Sequence, residues 1–303
     1  MAEPSTERRH PETTSIDVVS PREALQMVHA DSQAVLPAVE RVLPELADIV
    51  DETVARLERG GRLHYFGAGT SGRVAYMDAA ELPPTFGVGP DLVTAHVAGG
   101  PQALTAAVEG AEDDAAAGAR DAEAVGASDV AIGVTASGRT PYVRGALVEA
   151  RAHGAFTVLV SGNVDAAIGS IAERHLPLVT GPEVIAGSTR LKAGTAQKLV
   201  LNAFSTVVMV RLGRTYSNLM VGMTPVNEKL RRRMLGLLVE ASGEEEARCA
   251  EALAESDGDG VLALTMLLSG ADVGAARLAL VKARNVGAAA RLISADGRAL
   301  PAP

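Results

Sequence analysis

Residues 62–87 read RLHYFGAGTSGRVAYMDAAELPPTFG. Leu63, Tyr65 and Phe66 predict a short buried strand, Gly67 to Gly72 a turn with little side-chain bulk, and Arg73 to Ala80 a helix. Such a junction points free backbone N–H groups at an anion, and the helix dipole favours negative charge there. Thr70 and Ser71 add hydroxyl donors beside Gly72 at the helix entrance, so a phosphate suits the turn. The pair Pro83-Pro84 predicts that the helix stops before it, because a residue preceding proline is pushed out of the α region. That places Glu81 in the last helical turn. The turn lacks the lysine of a P-loop and is not followed, about twenty residues on, by an acidic residue in a ribose-binding position, so nucleotide binding is not favoured. A tight ligand-free connection between strand and helix is the plain alternative.

The chain around this stretch has 303 residues, enough for one large α/β domain and a smaller helical one. Tryptophan is absent and aromatics are scarce, which leaves Val, Leu, Ile, Ala and Met for the core and suits parallel strands buried under helices. A formal net charge of −9 argues against a nucleic-acid partner, so a negatively charged substrate must be held by local donors. The lone Cys249 excludes an internal disulfide and an all-cysteine metal site. No apolar run is long enough to span a bilayer and the polar start carries no signal-peptide pattern, so the expected location is the cytoplasm, with no membrane partner.

Taken in order, residues 1–20 predict a polar tail that is ordered only by contact with something else, and a disordered tail is the favoured reading. From Pro21 the pattern is helical, with one helix expected over Ala34 to Leu57. After the glycine turn, Asp91 to Val97, Val130 to Thr135, Phe156 to Ser161 and Leu176 to Val179 predict further strands. Helices are expected at Ala103 to Val108, Glu112 to Ala124 and Pro141 to His153. This alternation predicts a doubly wound parallel sheet in a three-layer αβα fold, with helices N-terminal to it. The third strand runs into ASGRTP, so two strands end in Ser/Thr/Gly turns that face one site if they share the carboxyl edge of the sheet. Ser188 or Thr189 then caps a long helix whose start carries Arg190 and Lys192. Both cations oppose the helix dipole, by roughly a few tenths of a kcal/mol each. A nearby anion removes that penalty; a solvated basic turn is the alternative. Residues 21–242 are expected to form the main domain and 243–303 a small domain of three helices. DGDG at Asp257 to Gly260 reads as a turn, since Leu268 would stand at the last ligand position of a calcium loop.

GAGTSGR, DAAELPPTFG, VAGG followed by VEGAEDD, TASGRTPYV and GSTRLKAGTAQKLVLN occur here in one order. Together they resemble the N-acetylmuramic acid 6-phosphate etherases, sugar isomerase (SIS) domain enzymes of bacterial cell-wall recycling, over essentially Ile16 to Leu235. The resemblance implies a lyase that cleaves the D-lactyl ether with water, giving N-acetylglucosamine 6-phosphate and D-lactate. It also implies a homodimer and no cofactor, and acid–base chemistry on the open-chain sugar requires no metal. Its two functional glutamates carry over to Glu81 and Glu112.

That chemistry is physically sensible. In the open-chain sugar the C1 aldehyde acidifies the C2 hydrogen, so elimination needs one base and one acid. The resemblance assigns Glu81 as proton donor to departing lactate and Glu112 as base at C2; the reverse assignment stays open. On the residues alone, Glu112 also reads as a solvated member of an acidic helix. Glu81 reads as a helix-end carboxylate poorly matched to the negative terminus. Thr70, Ser71, Gly72, Ser137, Gly138 and Thr140 are candidates for holding the 6-phosphate, and Lys192 is a further one. Arg73 and Arg139 read equally well as structural ion pairs, and His64 and His96 as packed or strand-edge residues. A continuous helix from Ser71 to Glu81 separates its ends by roughly 15 Å. Glu81 is therefore expected to act in the site of a partner subunit. Two other readings fit parts of the pattern: a non-catalytic sugar-phosphate regulator like the glucokinase regulatory protein, and an aldose-ketose isomerase on the same fold.

Overall fold

The computed structural model describes residues 4–294; residues 1–3 of the expected tail and 295–303 of the expected C-terminal domain lie outside the described residues. The chain forms two compact units, Met1–Ala80 with Asp91–Ser205, and Glu81–Pro90 with Thr206–Pro303.

The first unit opens with 3-10 turns at Ser5–Glu7 and Pro11–Thr13, then α1 (Pro21–Ser32), α2 (Val35–Glu40) and α3 (Leu43–Leu57). Its sheet contains β1 (Leu63–Gly67), β2 (Val93–Val97), β3 (Val130–Thr135), β4 (Phe156–Ser161) and β5 (Arg174–Pro177). Between them lie α4 (Gly69–Phe86), 3-10 turns at Gly100–Leu104 and Ala111–Asp113, α5 (Ala115–Ala122) and α6 (Pro141–Ala152). The long helix α7 (Lys192–Arg211) follows.

All strands pair in parallel, in the order β2-β1-β3-β4-β5. The chain leaves β1 toward β2 and leaves β3 toward β4, so the sheet's switch point lies between β1 and β3. Tyr65 and Phe66 point to opposite faces, as neighbours on a strand must. The Tyr65 hydroxyl donates to Asp78 of α4, whereas Phe66 packs with Ala122 of α5 and Tyr142, Val143 and Leu147 of α6. The sheet is thus covered on both faces, as its near-continuous apolar strands require.

Several local expectations are corrected. The tail is packed: Ser5 N–H and Oγ donate to Asn163 Oδ1 at 2.7 and 2.8 Å, and Thr13 Oγ1 donates to Val184 O at 2.9 Å. Its buried groups, Thr6 and Thr13, are small and polar, so composition gave no apolar signal. The helix expected over Ala34 to Leu57 breaks at Arg41 and Val42, and Pro44 sits in the first turn of α3, where its missing N–H leaves no bond unmade. The helix expected from Glu112 starts only at Ala115, because Asp114 caps α5 by accepting from Ala117 N at 2.8 Å; Glu112 therefore stands in the preceding 3-10 turn. The last strand lies two residues earlier than its apolar run suggests, with Leu176 paired to Val160.

The largest correction concerns Pro83-Pro84. α4 runs through both prolines to Phe86, and Gly87 N–H closes the last turn on Pro83 O at 2.9 Å. Proline removes the donors that the carbonyls of Ala79 and Ala80 would have accepted in a regular helix. Burial of Leu82 and Phe86, at 3% and 7% exposure, outweighs that local cost. Glu81 is consequently inside α4 rather than in its last turn.

In the second unit, the end of α4 meets the segment before α8: a Cβ on Gly87 would stand 2.1 Å from Gly222 O. α8 (Glu228–Ser242), capped by Asn227, precedes α9 (Glu246–Glu255), α10 (Gly260–Ser269), α11 (Val273–Ala283) and α12 (Val286–Ser294). Among the described residues, four short helices thus lie in the region where sequence suggests three. Val221, Met223, Met234, Leu238, Cys249 and Leu264 share one core. The DGDG stretch is a turn whose Asp259 caps α10 through Leu262 N at 3.0 Å. Among the described residues no single helix is long and apolar enough to cross a membrane.

Candidate active site

The carboxyl ends of β1 and β3 lie side by side, with Gly67 paired to Val134. From them emerge the two Ser/Thr/Gly turns, so Thr70, Ser71 and Gly72 on one side and Ser137, Gly138 and Thr140 on the other flank the switch point. Gly67 and Gly72 let β1 and α4 meet without side chains: a Cβ on Gly67 would stand 2.7 Å from Gly72 N, and one on Gly72 would stand 2.7 Å from Gly67 O. This brings the first amides of α4 directly over the strand end, where they can serve an anion. Ser71 is buried and Thr70 is half-buried at this turn.

The second turn is built from its own hydroxyls. Thr135 Oγ1 and Thr140 Oγ1 are 2.8 Å apart, and Gly138 N–H donates to Thr135 Oγ1 at 3.3 Å. Arg139 N–H donates to Ser137 Oγ at 3.2 Å. Gly138 has φ +72°, and a Cβ there would stand 2.5 Å from the Ala166 Cβ, so glycine is required on both counts. Asn163 Nδ2 donates to Ala136 O and Ser137 O at 3.1 and 3.3 Å, fixing the turn from β4. Ser137, Arg139 and Asn163 line a cavity of about 190 Å³ together with Pro4, Ser5 and Arg8. A cavity of about 540 Å³ around Arg56, Phe156 and Arg174 lies instead at the amino end of β4, away from both turns.

Lys192 opens α7 close to the first turn: a Cβ on Gly194 would stand 3.1 Å from Thr70 Cγ2. Its ammonium is buried and bonds Asp31 Oδ1 and, at 2.7 Å, Pro182 O. The helix start also carries an internal anion missed by sequence reasoning. Glu183, fully buried, accepts from Lys192 N at 3.0 Å and Ala193 N at 2.9 Å. Burial pushes its carboxyl above the ordinary value, against those two amides and the Lys192 charge. The only sequence signal for it was a carboxylate in a Gly/Pro loop shortly before a helix.

Glu81 and Glu112 stand outside the two turns. α4 is one helix from Gly69 to Phe86, so Glu81 stands about ten residues beyond Ser71 along it. Glu112 is in the turn that packs beside α6. Both are exposed in the single chain. Arg73 Nη2 donates to Ala106 O at 3.0 Å. His64 and His96 belong to the sheet: His64 Nδ1 lies 3.2 Å from His96 Nε2, and burial, with His96 second, lowers the His64 pKa to about 4. Among the described residues no group of His, Cys, Asp and Glu has metal-site geometry.

Comparison with known proteins bears on this arrangement. A family model for the glucokinase regulatory protein N-terminal SIS domain matches residues 45–151. A phosphoheptose isomerase from Francisella tularensis superposes with TM-score 0.50 at 19% identity, over 64% of this chain and 100% of that one, a likeness of fold. The N-acetylmuramic acid 6-phosphate etherase of Thermobifida fusca is 58% identical over 87% of both chains. That of Symbiobacterium thermophilum is 50% identical over 88% of this chain and 89% of its own. Identity at that level over most of both chains shows that the chain belongs to the N-acetylmuramic acid 6-phosphate etherase family, built on a SIS fold.

Proposed function

We propose that this protein is a carbon-oxygen lyase that cleaves the D-lactyl ether of N-acetylmuramic acid 6-phosphate with water, yielding N-acetylglucosamine 6-phosphate and D-lactate. The observation that carries this reading is the 58% identity to an etherase over 87% of both chains. The paired Ser/Thr/Gly turns at the sheet's switch point support it, because they offer neutral donors and helix amides to a phosphate on an acidic protein. In this reading Thr70, Ser71, Gly72, Ser137, Gly138 and Thr140 hold the 6-phosphate, with Lys192 fixing the start of α7 beside them.

The chemistry follows from the open-chain sugar. A base removes the C2 proton, the C1 aldehyde takes up the electron pair, and the C3–O bond breaks as an acid protonates departing lactate. Water then adds at C3 and a proton returns to C2. Glu81 is assigned as the acid and Glu112 as the base. The aldehyde is the electron sink, so the reaction calls for no cofactor.

The span of α4 between Ser71 and Glu81 supports a homodimer in which Glu81 serves the partner's site. The catalytic region is assigned to residues 21–242 and a helical appendage to 243–303. The reaction belongs to cytoplasmic amino-sugar catabolism and peptidoglycan recycling. Incubation of the pure protein with N-acetylmuramic acid 6-phosphate tests the activity: D-lactate and N-acetylglucosamine 6-phosphate are expected, and binding without release would leave a sugar-phosphate regulator instead.

A further inference from the structure

α4 and α7 lie side by side in one register. Gly194 abuts Thr70, and further along Asn202 Nδ2 and Ser205 Oγ donate to Asp78 at 2.8 and 3.0 Å. These contacts pair the two helices at nearly one sequence offset, so the helices run parallel. Gln197, one turn past Gly194 on the same stripe of α7, is therefore level with the first turns of α4. Helical side chains lean toward the helix N-terminus, which carries the Gln197 amide toward Thr70 and Ser71.

Gln197 is 1% exposed, and neither Nε2 nor Oε1 has a hydrogen-bond partner among the described residues. Asp78, between the same two helices, is by contrast matched with three donors. Buried amides without partners are rare in folded proteins and call for an explanation. An amide offers a donor and an acceptor on one carbon, suited to a ligand presenting an anionic oxygen near a hydroxyl.

We propose that Gln197 is a substrate-binding residue, its Nε2 donating to a phosphoryl oxygen held at the glycine turn and its Oε1 accepting from a sugar hydroxyl. This deepens the reading of the turns as a sugar-phosphate site and rests on it. The role falls to an uncharged side chain, so it fits a site that holds its anion by neutral donors.

Calorimetric titration with N-acetylglucosamine 6-phosphate, alongside thermal unfolding, tests the proposal on wild type, Gln197→Met and Gln197→Glu. The Met variant keeps the side-chain volume and removes both polar atoms. Its affinity is expected to fall roughly 10- to 100-fold, the effect of losing a hydrogen bond to a charged group, with Tm at or above wild type. The Glu variant faces the phosphate with a carboxylate and is expected to bind more weakly still. Wild-type affinity in either variant overturns the proposal, as does a lowered Tm with unchanged affinity, the mark of a structural role. The titration does not depend on turnover: a wild type that binds N-acetylglucosamine 6-phosphate but releases no D-lactate from N-acetylmuramic acid 6-phosphate refutes the lyase reading alone. A wild type that binds no sugar phosphate refutes both.

Discussion

Glu183 holds the start of α7 through the backbone of Lys192: its carboxylate accepts the Lys192 N–H at 3.0 Å, and the next amide, Ala193 N–H, at 2.9 Å. A carboxylate at a helix N-terminus is favoured by the dipole and satisfies amides that have no intrahelical acceptor. The same lysine's side chain turns away to Asp31 of α1, which lies 3.3 Å from His10 Nε2. The segment before the sheet, α1 and the helix beside the glycine turn are thus tied together by buried polar contacts.

Glu183→Ala should lower stability by about 2–3 kcal/mol, since it orphans two buried amides and removes a charge facing Lys192. Glu183→Gln, which keeps an acceptor, should cost less. Urea midpoints at unchanged slope measure both; a loss below about 0.5 kcal/mol for the Ala variant would show the contact to be incidental.

Asp78 is the second such anchor, accepting from Tyr65 Oη at 3.0 Å as well as from Asn202 and Ser205. Burial raises the Asp78 carboxyl above its usual value and pushes the Tyr65 phenol far up, so the phenol is the donor. Asp78→Ala should cost about 3 kcal/mol or more by leaving three donors unmatched between α4, β1 and α7. Retention of the wild-type denaturation midpoint would contradict that role.

His64 gives the fold an acid-sensitive element. Its pKa in the folded protein is lowered from 6.5 to about 4, so between those values the unfolded chain binds a proton that the folded chain refuses. Stability from this group is complete above pH 6.5 and declines as pH falls toward 4, by on the order of 2–3 kcal/mol in total. His96 is depressed in the same direction by burial and adds to the slope. Unfolding curves of wild type and His64→Phe between pH 7 and 4.5 should show a shallower decline for the variant; parallel declines would rule the histidine out.

The exposure of Glu81 and Glu112 in the single chain means that Ala substitutions there should fold normally while activity falls by roughly 10²–10⁴, the range for general acid–base groups. Mixed dimers of Glu81→Ala and Glu112→Ala chains should recover part of the activity if Glu81 works in the partner's site. No gain over either pure mutant would remove the shared-site account.

How far the sequence could be read depended on whether a feature is local. β1, β3 and β4 are apolar runs bounded by Gly/Ser/Thr turns, so these strands and the two turns were legible as local features. Pro83-Pro84 misled because the local rule ignores the burial of Leu82 and Phe86 on either side. Glu183 and Gln197 were missed since their roles exist only between elements distant in sequence. Lys192 and Arg190 did ask for an anion near the start of α7; the fold supplies Glu183 and Asp31 beside Lys192. A polar residue at a core-facing position of an apolar helix was the available sign for Gln197.

The central claim is elimination followed by hydration at C3, and isotopic labelling from solvent tests it directly. N-acetylmuramic acid 6-phosphate turned over in deuterated, heavy-oxygen water should give N-acetylglucosamine 6-phosphate with deuterium at C2 and solvent oxygen at C3, while D-lactate keeps the original ether oxygen. Solvent oxygen in lactate, with the C2 hydrogen retained in the sugar, would mean displacement at the lactyl carbon and would contradict the account.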